Sequence, residues 1–515
     1  MKPTMDPTTQ KLEDYYILAT STRADERTRV IKHGDSFGVF DHAGMIRQAG
    51  IGELGLYHRD TRYLTTFEIG LERRRPLLLN STVLRDNVLH VDLANPDLPD
   101  RPDPLARDSV HLFVQSFLWD ASWHARLRLH NYALRAVDIE LSLLFDADHA
   151  DIFEVRGTKR LRRGRRFQPV ISRDEVALAY EGLDRVVRTT RLAFRPAPAS
   201  LGASRASYQL RLPPQGHEAI DVWVGFEQGG ARLDIPEFDH ARERSSSALA
   251  RRCAGAASIE SSNPEFSEWV DRSMGDIEMM ITDTPWGQYP YAGVPWFSTP
   301  FGRDGIITAY EMLWLDPALA RGVLGFLAAT QATEHDPEND AEPGKIIHEV
   351  RDGEMAALGE VPFGRYYGSI DATPLFVVLA GAYYRRTADR ALIEAIWPSA
   401  DRALMWIDEH GDLDDDGFIE YARRSTRGLS SQGWKDSVDS ISHATGELAT
   451  GAIALCEVQG YVYAARRAGA MLARAVGYSE RAARLDRQAD ELRERFERAF
   501  WSDEIGTYAL ALDGD

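Results

Sequence analysis

The first 240 residues alternate between apolar and polar positions with a period of two. Residues 137–145, VDIELSLLF, show this alternation most clearly, and residues 126–130, 208–212 and 221–226 repeat it or come close to it. Such alternation is typical of half-buried β-strands. Because turn-forming stretches separate the strands at short intervals, the pattern predicts an antiparallel β-sandwich.

From about residue 263 the apolar residues recur at three- and four-residue intervals, which predicts amphipathic helices. Loops of alternating length between them suit a toroid of helical hairpins, with a site on the long-loop face. We therefore predict a β-sandwich domain (1–240), a helical linker (241–262) and a helical domain (263–515). About seven helices are predicted in the last of these, over 264–281, 305–315, 317–333, 372–389, 390–411, 450–476 and 481–501.

The composition is that of a globular protein with more than one domain. The chain has 515 residues, of which 44% are hydrophobic and 27% charged, and this length exceeds one ordinary core. Its net charge of −19 argues against nucleic acid or an anionic membrane surface as a partner, since both need clustered Lys and Arg. The basic stretch RGTKRLRRGRR (156–166) is interpreted as an exposed hairpin.

The cysteines and the N-terminus bear on the compartment. Cys253 and Cys456 are far apart in sequence and offer neither a disulfide framework nor metal-ligand spacing. The polar N-terminus MKPTMDPTTQKLEDYY (1–16) predicts no secretory signal. No apolar run approaches the roughly 20 residues that a membrane span needs. We expect a cytoplasmic protein that uses no metal and no cofactor.

The first long loop with candidate chemistry is YAGVPWFSTPFGRDG (291–305). Arg303 and Asp304 supply a fork of donors and an acceptor, which can hold neighbouring hydroxyls of a sugar ring. Trp296 or Phe297 can cover the apolar face of that ring. The alternative for Asp304 is that its charge only stabilises the start of a helix.

The second loop, residues 345–374, contains Tyr367 and Asp371 as candidate substrate contacts. Asp371 directly precedes a predicted helix, so a role as N-cap is an equal alternative. His348 in the same loop has no second His or Cys nearby, and we interpret it as a structural histidine.

The third loop, GDLDDDGFIEY (411–421), opens like a calcium-binding loop. Asp412, Asp414 and Asp416 have the required spacing, but the bidentate Glu expected at the twelfth position is absent. A nonstandard site that uses Glu420 remains an alternative. A turn with solvated acids is the simpler interpretation.

The fourth loop, GLSSQGWKDS (428–437), places an aromatic ring next to a carboxyl group. Hydrolysis of a glycosidic bond needs one protonated carboxyl to donate to the leaving oxygen and a second carboxylate to activate water or attack the sugar. An apolar wall keeps a carboxyl protonated, and Trp434 beside Asp436 fits this need. Lys435 argues against it, unless its ammonium points away or binds a substrate hydroxyl.

The order of these loops resembles that of the bacterial glycogen-debranching, or amylo-α-1,6-glucosidase-like, glycoside hydrolases. The N-terminal half is similar to the same family in GLYHRDTRYL (55–64), LLLNST (77–82) and DADHADIFEVRG (146–157). The motifs of the helical half follow in sequence: FSTPFGRDG, YYGSIDATPLF, DDDGFIEY, QGWKDS and EVQGYVYAA.

This resemblance implies an (α/α)6 toroid behind a β-sandwich and inverting hydrolysis of α-glucosidic bonds, with α-1,6 branches of glycogen or limit dextrin as the expected substrate. It implies that Arg303 and Asp304 hold the innermost glucose, that Asp436 is the general acid and that Trp434 lines the same subsite. A complete toroid has twelve helices, so about seven predict a C-terminally incomplete domain. The catalytic base has no match.

Two other functions stay open at this point. The chain could be an α-glycosidase for a smaller oligosaccharide or disaccharide, because a fold does not determine a substrate. It could also be a non-catalytic sugar-binding protein or a fragment. For the N-terminal domain we expect a contribution to the rim of the sugar site and no acid–base residue.

Overall fold

The computed structural model describes residues 28–47 and 52–514. The polar N-terminal stretch that predicts no secretory signal lies outside these residues. A β-rich part comes first in the chain. Its strands are β1 (Arg29–His33), β2 (Ser36–Phe40), β3 (Gly55–His58), β4 (Thr61–Leu64), β5 (Thr66–Leu71), β6 (Leu77–Val83), β7 (Leu89–Ala94), β8 (Val110–Trp119), β9 (Ser122–Asn131), β10 (Val137–Asp146), β11 (Arg165–Arg166), β12 (Val170–Ile171), β13 (Glu175–Glu181), β14 (Val187–Arg195), β15 (Ser200–Leu201), β16 (Arg205–Leu212) and β17 (His217–Gln228).

Three antiparallel sheets build the β-rich part. The largest has the order β11-β13-β14-β17-β9-β8-β7-β6, with β12 also paired to β13. The other two have four strands each, in the orders β1-β2-β3-β4 and β15-β16-β10-β5. Buried side chains from all three sheets form one hydrophobic core. The predicted antiparallel β domain is therefore confirmed.

The period-two pattern explains the orientation of β10. Val137, Ile139 and Leu141 are at most 1% exposed, whereas Asp138 between them is exposed. The strand pairs with β16 from Val137 opposite Leu212 onwards, and with β5 on its other side. Alternate side chains point to opposite faces of a strand, so this register buries one whole apolar row.

Helices dominate after β17. They are α2 (Phe238–Cys253), α3 (Pro264–Met280), α4 (Gly302–Glu311), α5 (Pro317–Thr330), α6 (Glu354–Ala357), α7 (Ala372–Thr387), α8 (Arg390–Glu409), α9 (Cys456–Val476) and α10 (Ser479–Ala499); a short helix α1 (Ile152–Val155) lies in the β-rich part. Short 3-10 turns span Met312–Trp314 and Pro337–Asn339. The seven helices predicted after residue 263 are all present. The domain boundaries at residues 240 and 263 stay predictions.

Short antiparallel pairs of strands lie between the helices: β18 (Ile281–Thr284) with β19 (Gly287–Pro290), β20 (Glu349–Val350) with β21 (Arg365–Tyr366), β22 (Ile453–Leu455) with β25 (Ala511–Asp513), and β23 (Trp501–Ser502) with β24 (Thr507–Tyr508). The start of one predicted helix is therefore wrong, because residues 453–455 form a strand. Local periodicity could not reveal this, since the pairing partner lies more than 50 residues away.

Close packing of the helices depends on two glycines. A Cβ at Gly381 in α7 would lie 2.6 Å from the Cβ of Ala468 in α9, so only a glycine allows this approach. Gly477 ends α9 with φ at +99°, a conformation that favours glycine, and α10 starts two residues later. Among the described helices, none combines the length and apolar character needed to cross a bilayer.

The β-rich part is bonded to the long loop between α5 and α7 through a buried arginine. Arg351 of this loop is 4% exposed and donates to Asp60 of the β-rich part and to Glu349, at 2.9 and 2.8 Å. Its third bond, at 2.9 Å, goes to the carbonyl oxygen of Trp296. This one guanidinium therefore joins the β-rich part to two loops of the helical part.

Candidate functional site

The start of α4 fixes the position of the Arg303–Asp304 pair. The amide of Gly302 donates to the carbonyl oxygen of His348 at 2.9 Å. A Cβ at Gly302 would lie 2.0 Å from the carbonyl oxygen of Ile347, so this approach requires glycine. The helix N-terminus thus packs directly against the second long loop, which places Arg303 near that loop.

Arg303 brings together two carboxyl groups that are distant in the sequence. Its Nη1 donates to Asp371 Oδ2 at 3.0 Å, and its Nη2 lies 3.6 Å from Asp436 Oδ2. Asp371 is 1% exposed and also accepts a bond from the hydroxyl of Ser369 at 2.5 Å. The side chain of Asp371 makes no helix-capping bond. Its contacts therefore support the interaction with Arg303 rather than the N-cap alternative.

The environment of Asp436 favours its protonated form. Burial raises the pKa of this carboxyl above its usual value; Arg303 opposes that rise, while Asp304 and Asp371 add to it. The side chain is still 47% exposed, so water moderates these effects. A substrate that covers the carboxyl would remove this water and favour the protonated form further.

The ammonium group of Lys435 lies 5.4 Å from the centre of the Trp434 ring. A cation in this position interacts with the face of the indole. The structure therefore pairs the ammonium of Lys435 with the ring of Trp434. Whether Lys435 contacts a substrate stays a prediction.

A cavity of about 220 Å³ opens beside Asp436. Four phenylalanines supply much of its wall: Phe153 from the β-rich part and Phe297, Phe301 and Phe363 from the loops of the helical part. This aromatic lining suits the apolar face of a sugar ring. It also provides apolar surroundings for the exposed side of Asp436.

Three of the predicted substrate contacts are not among the described residues that line this cavity. Trp296 is 8% exposed and packs in the core of the β-rich part, whereas Phe297 lines the cavity. Tyr367 is 6% exposed, and its hydroxyl donates to the carbonyl oxygen of Thr330 at 2.8 Å. Trp434 is 54% exposed and is not among the described residues that line the cavity. The roles of these three side chains in binding stay predictions.

Three further residues lie near Asp436 or near the Arg303–Asp371 pair and are not among the predicted contacts. Arg156 and His348 both line the cavity. The sequence predicts an exposed hairpin for the stretch that contains Arg156, and a structural role for His348. Tyr461 of α9 is half-buried, and its pKa is raised by burial, Asp371 and Glu457. Since residues four apart share a helix face, Glu457 and Tyr461 lie on the side of α9 near Asp371.

The acidic loop after α8 has the contacts of a turn. Asp412 Oδ2 accepts a bond from the amide of Gly417 at 2.8 Å, and Asp416 Oδ1 accepts one from Phe418 at 2.7 Å. Carboxyl oxygens of Asp412, Asp414 and Glu420 lie within 4.8 Å of one another. These backbone bonds are those of a turn, and the nonstandard calcium site that uses Glu420 stays an untested alternative.

Two family matches cover most of this architecture. Residues 31–222 match the N-terminal domain of some glycogen debranching enzymes. Residues 302–512 match the mannosylglycerate hydrolase MGH1-like glycoside hydrolase domain. No curated protein sequence matches the chain.

Solved structures share the fold at low sequence identity. A putative kojibiose phosphorylase from the human microbiome is 10% identical, with a TM-score of 0.56 over 98% of this chain and 71% of that one. A bacterial glucoamylase complexed with acarbose is also 10% identical, with a TM-score of 0.51 over 93% of this chain and 69% of that one. These likenesses show the fold alone, which is in part that of six-hairpin glycosidases.

The β domain, the helical fold and the matched domains together define a glycoside hydrolase. The chain joins an N-terminal domain of the kind found in some glycogen debranching enzymes to an MGH1-like glycoside hydrolase domain. This confirms the family that the loop motifs resemble. The matched glycoside hydrolase domain implies a carbohydrate substrate.

Proposed function

We propose that the protein hydrolyses α-1,6-glucosidic branch linkages of glycogen or limit dextrin, with Asp436 as general acid and inversion at the anomeric carbon. The observation that carries this proposal is the position of Asp436, 3.6 Å from Arg303, which is itself bonded to Asp371, and on the wall of a sugar-sized aromatic cavity. The match of the N-terminal domain to glycogen debranching enzymes supports a branched glucan. We also propose that the helices belong to an (α/α)6 toroid behind a β-sandwich.

In this mechanism the protonated carboxyl of Asp436 donates its proton to the oxygen that leaves with the departing sugar. Arg303, held by Asp371, donates hydrogen bonds to hydroxyls of the innermost glucose, and Asp304 accepts from them. The phenylalanines of the cavity limit access of bulk water, which strengthens these polar interactions. A second carboxylate activates the attacking water in an inverting enzyme, and we assign it to no residue.

Replacing Asp304 by Asn is expected to move the basic limb of the pH profile to lower pH. A general acid works only when protonated, so activity is lost as the pH rises through its pKa. The charge of Asp304 raises the pKa of Asp436, and Asn removes that charge. The measurement is kcat/KM against pH for both proteins. The position of the limb reports this effect even if the variant binds substrate less well; an unmoved limb or a shift to higher pH would contradict it.

The substrate and the stereochemistry are tested together by NMR of the anomeric protons. We expect β-glucose to be the first anomer released from a branched limit dextrin and from isomaltose. Release of glucose from maltose should be slower than from isomaltose. Release of α-glucose first would rule out inversion. Hydrolysis of disaccharides without any release from limit dextrin would favour the smaller-substrate alternative.

The matched hydrolase domain argues against the alternative of a sugar-binding protein without activity, which would bind the same sugars without releasing glucose. For the compartment we keep the cytoplasm as a proposal. It is supported by the two cysteines, Cys253 and Cys456, which are both unpaired; cytosolic proteins keep their thiols reduced.

A further inference from the structure

The β-rich part contributes a cation to the cavity beside Asp436. Arg156 follows the last residue of α1 and lines the cavity. Its guanidinium lies 5.6 Å from the ring centre of Phe297 and 5.7 Å from that of Phe153. Cation–π contacts with two rings restrict the position of the guanidinium. Burial and the nearby Arg351 lower the pKa of Arg156 to about 10, which still leaves it charged at neutral pH.

A second polar group of the cavity has an unsatisfied atom. His348 is 4% exposed, and its Nδ1 has no hydrogen-bond partner among the described residues. Burial, Arg303 and Arg351 hold the pKa of this imidazole well below its usual value, so the ring is neutral. A buried polar atom without a partner is costly. A hydroxyl group in the cavity could bond to the neutral ring, which donates at one nitrogen and accepts at the other.

The position of Asp436 indicates which sugar the cavity takes. A general acid donates to the oxygen that joins the two sugars. The innermost and the departing sugar therefore lie on opposite sides of the acid. Arg303 lies 3.6 Å from Asp436 and is itself bonded to Asp371, and neither Arg303 nor Asp371 is among the described residues that line the cavity. If Arg303 holds the innermost glucose, as proposed above, the cavity is left for the departing sugar. Its 220 Å³ far exceeds the roughly 10–15 Å³ that one water needs.

We propose that this cavity is the subsite of the departing sugar, and that Arg156 is a specificity-determining residue that binds its hydroxyls. His348 supplies a second polar contact, and Phe297 covers the apolar face of the ring. The inference rests on the proposed function, since Asp436 marks the bond that is cleaved. It assigns to the β-rich part a direct role in choosing the substrate, beyond holding the long loop.

Binding measurements test the subsite without relying on turnover. Two ligands are compared by calorimetry: 1-deoxynojirimycin, which fills the innermost subsite alone, and thio-linked isomaltose, which fills both and is not cleaved. Arg156→Met should lower the affinity for thio-isomaltose by roughly 10- to 100-fold, the loss expected for hydrogen bonds from a charged donor. The affinity for the iminosugar should fall far less. Arg156→Lys should fall between, because it keeps the charge and loses the fork.

The matched control is Arg162→Met, since Arg162 lies in the same basic stretch, is exposed and is not among the residues that line the cavity. It should change neither affinity. Equal losses of both ligands in Arg156→Met, or no loss of thio-isomaltose, would overturn the proposed subsite. Binding of neither ligand by the unaltered protein would instead overturn the proposed function. Retained binding of the iminosugar also shows that the variant is folded.

Discussion

Replacing Asp436 by Asn is expected to lower turnover on a branched glucan by roughly 10²- to 10⁴-fold, the usual contribution of a general acid. The amide keeps the shape of the side chain but has no transferable proton. Affinity for the substrate should fall much less, because Arg303 remains in place, held by its bond to Asp371. Initial rates on limit dextrin, with KM determined for both proteins, measure this.

The control for this prediction is Asp439→Asn. Asp439 lies three residues further along the same loop and is exposed, so a neutral amide there should leave both kcat and KM close to those of the unaltered protein. A loss of similar size in both variants would point to disturbance of the loop. In that case Asp436 would position the loop without donating a proton.

Replacing Arg351 by Met is expected to lower the free energy of unfolding by about 3–5 kcal/mol, the cost of leaving buried partners of an ion pair uncompensated. Asp60 and Glu349 are 8% and 5% exposed, and both would lose the guanidinium that binds them at 2.9 and 2.8 Å. The carbonyl oxygen of Trp296 would lose its donor as well. Unfolding in guanidinium chloride, followed by tryptophan fluorescence, measures the change.

The matched control is Arg75→Met, at an exposed ion pair. Arg75 lies 3.3 Å from Glu68, and its side chain is 64% exposed, so its loss should cost at most about 1 kcal/mol. A similarly small loss in Arg351→Met would contradict the role of Arg351 as the link between the β-rich part and the loops. An early, separate transition in that variant would support it, because the two parts would then unfold independently.

Much of the fold was accessible from the sequence because local patterns determine it. The alternation in β10 predicted a strand with one buried row, and Val137, Ile139 and Leu141 form that row. The helices followed from their apolar spacing in the same way. The strand at residues 453–455 did not, because its pairing with residues 511–513 is a non-local interaction that leaves no signal in the local period.

The candidate site was only partly predictable, for a related reason. Arg303, Asp371 and Asp436 were proposed from separate loops, and the structure brings them together. The aromatic wall was expected from Trp434, the neighbour of Asp436 in sequence. Phenylalanines from three separate stretches form the cavity wall instead, one of them Phe153 of the β-rich part. Sequence proximity is a poor guide to such contacts, because the packing of the two parts creates them.

Proton donation by Asp436 is tested by comparing two leaving groups in the Asp436→Asn variant. Glucosyl fluoride needs little protonation to depart, whereas a sugar alkoxide needs it fully. We predict that the variant loses most of its turnover on limit dextrin and retains much of its activity on the fluoride. Equal losses on both substrates, or full activity on limit dextrin, would contradict it.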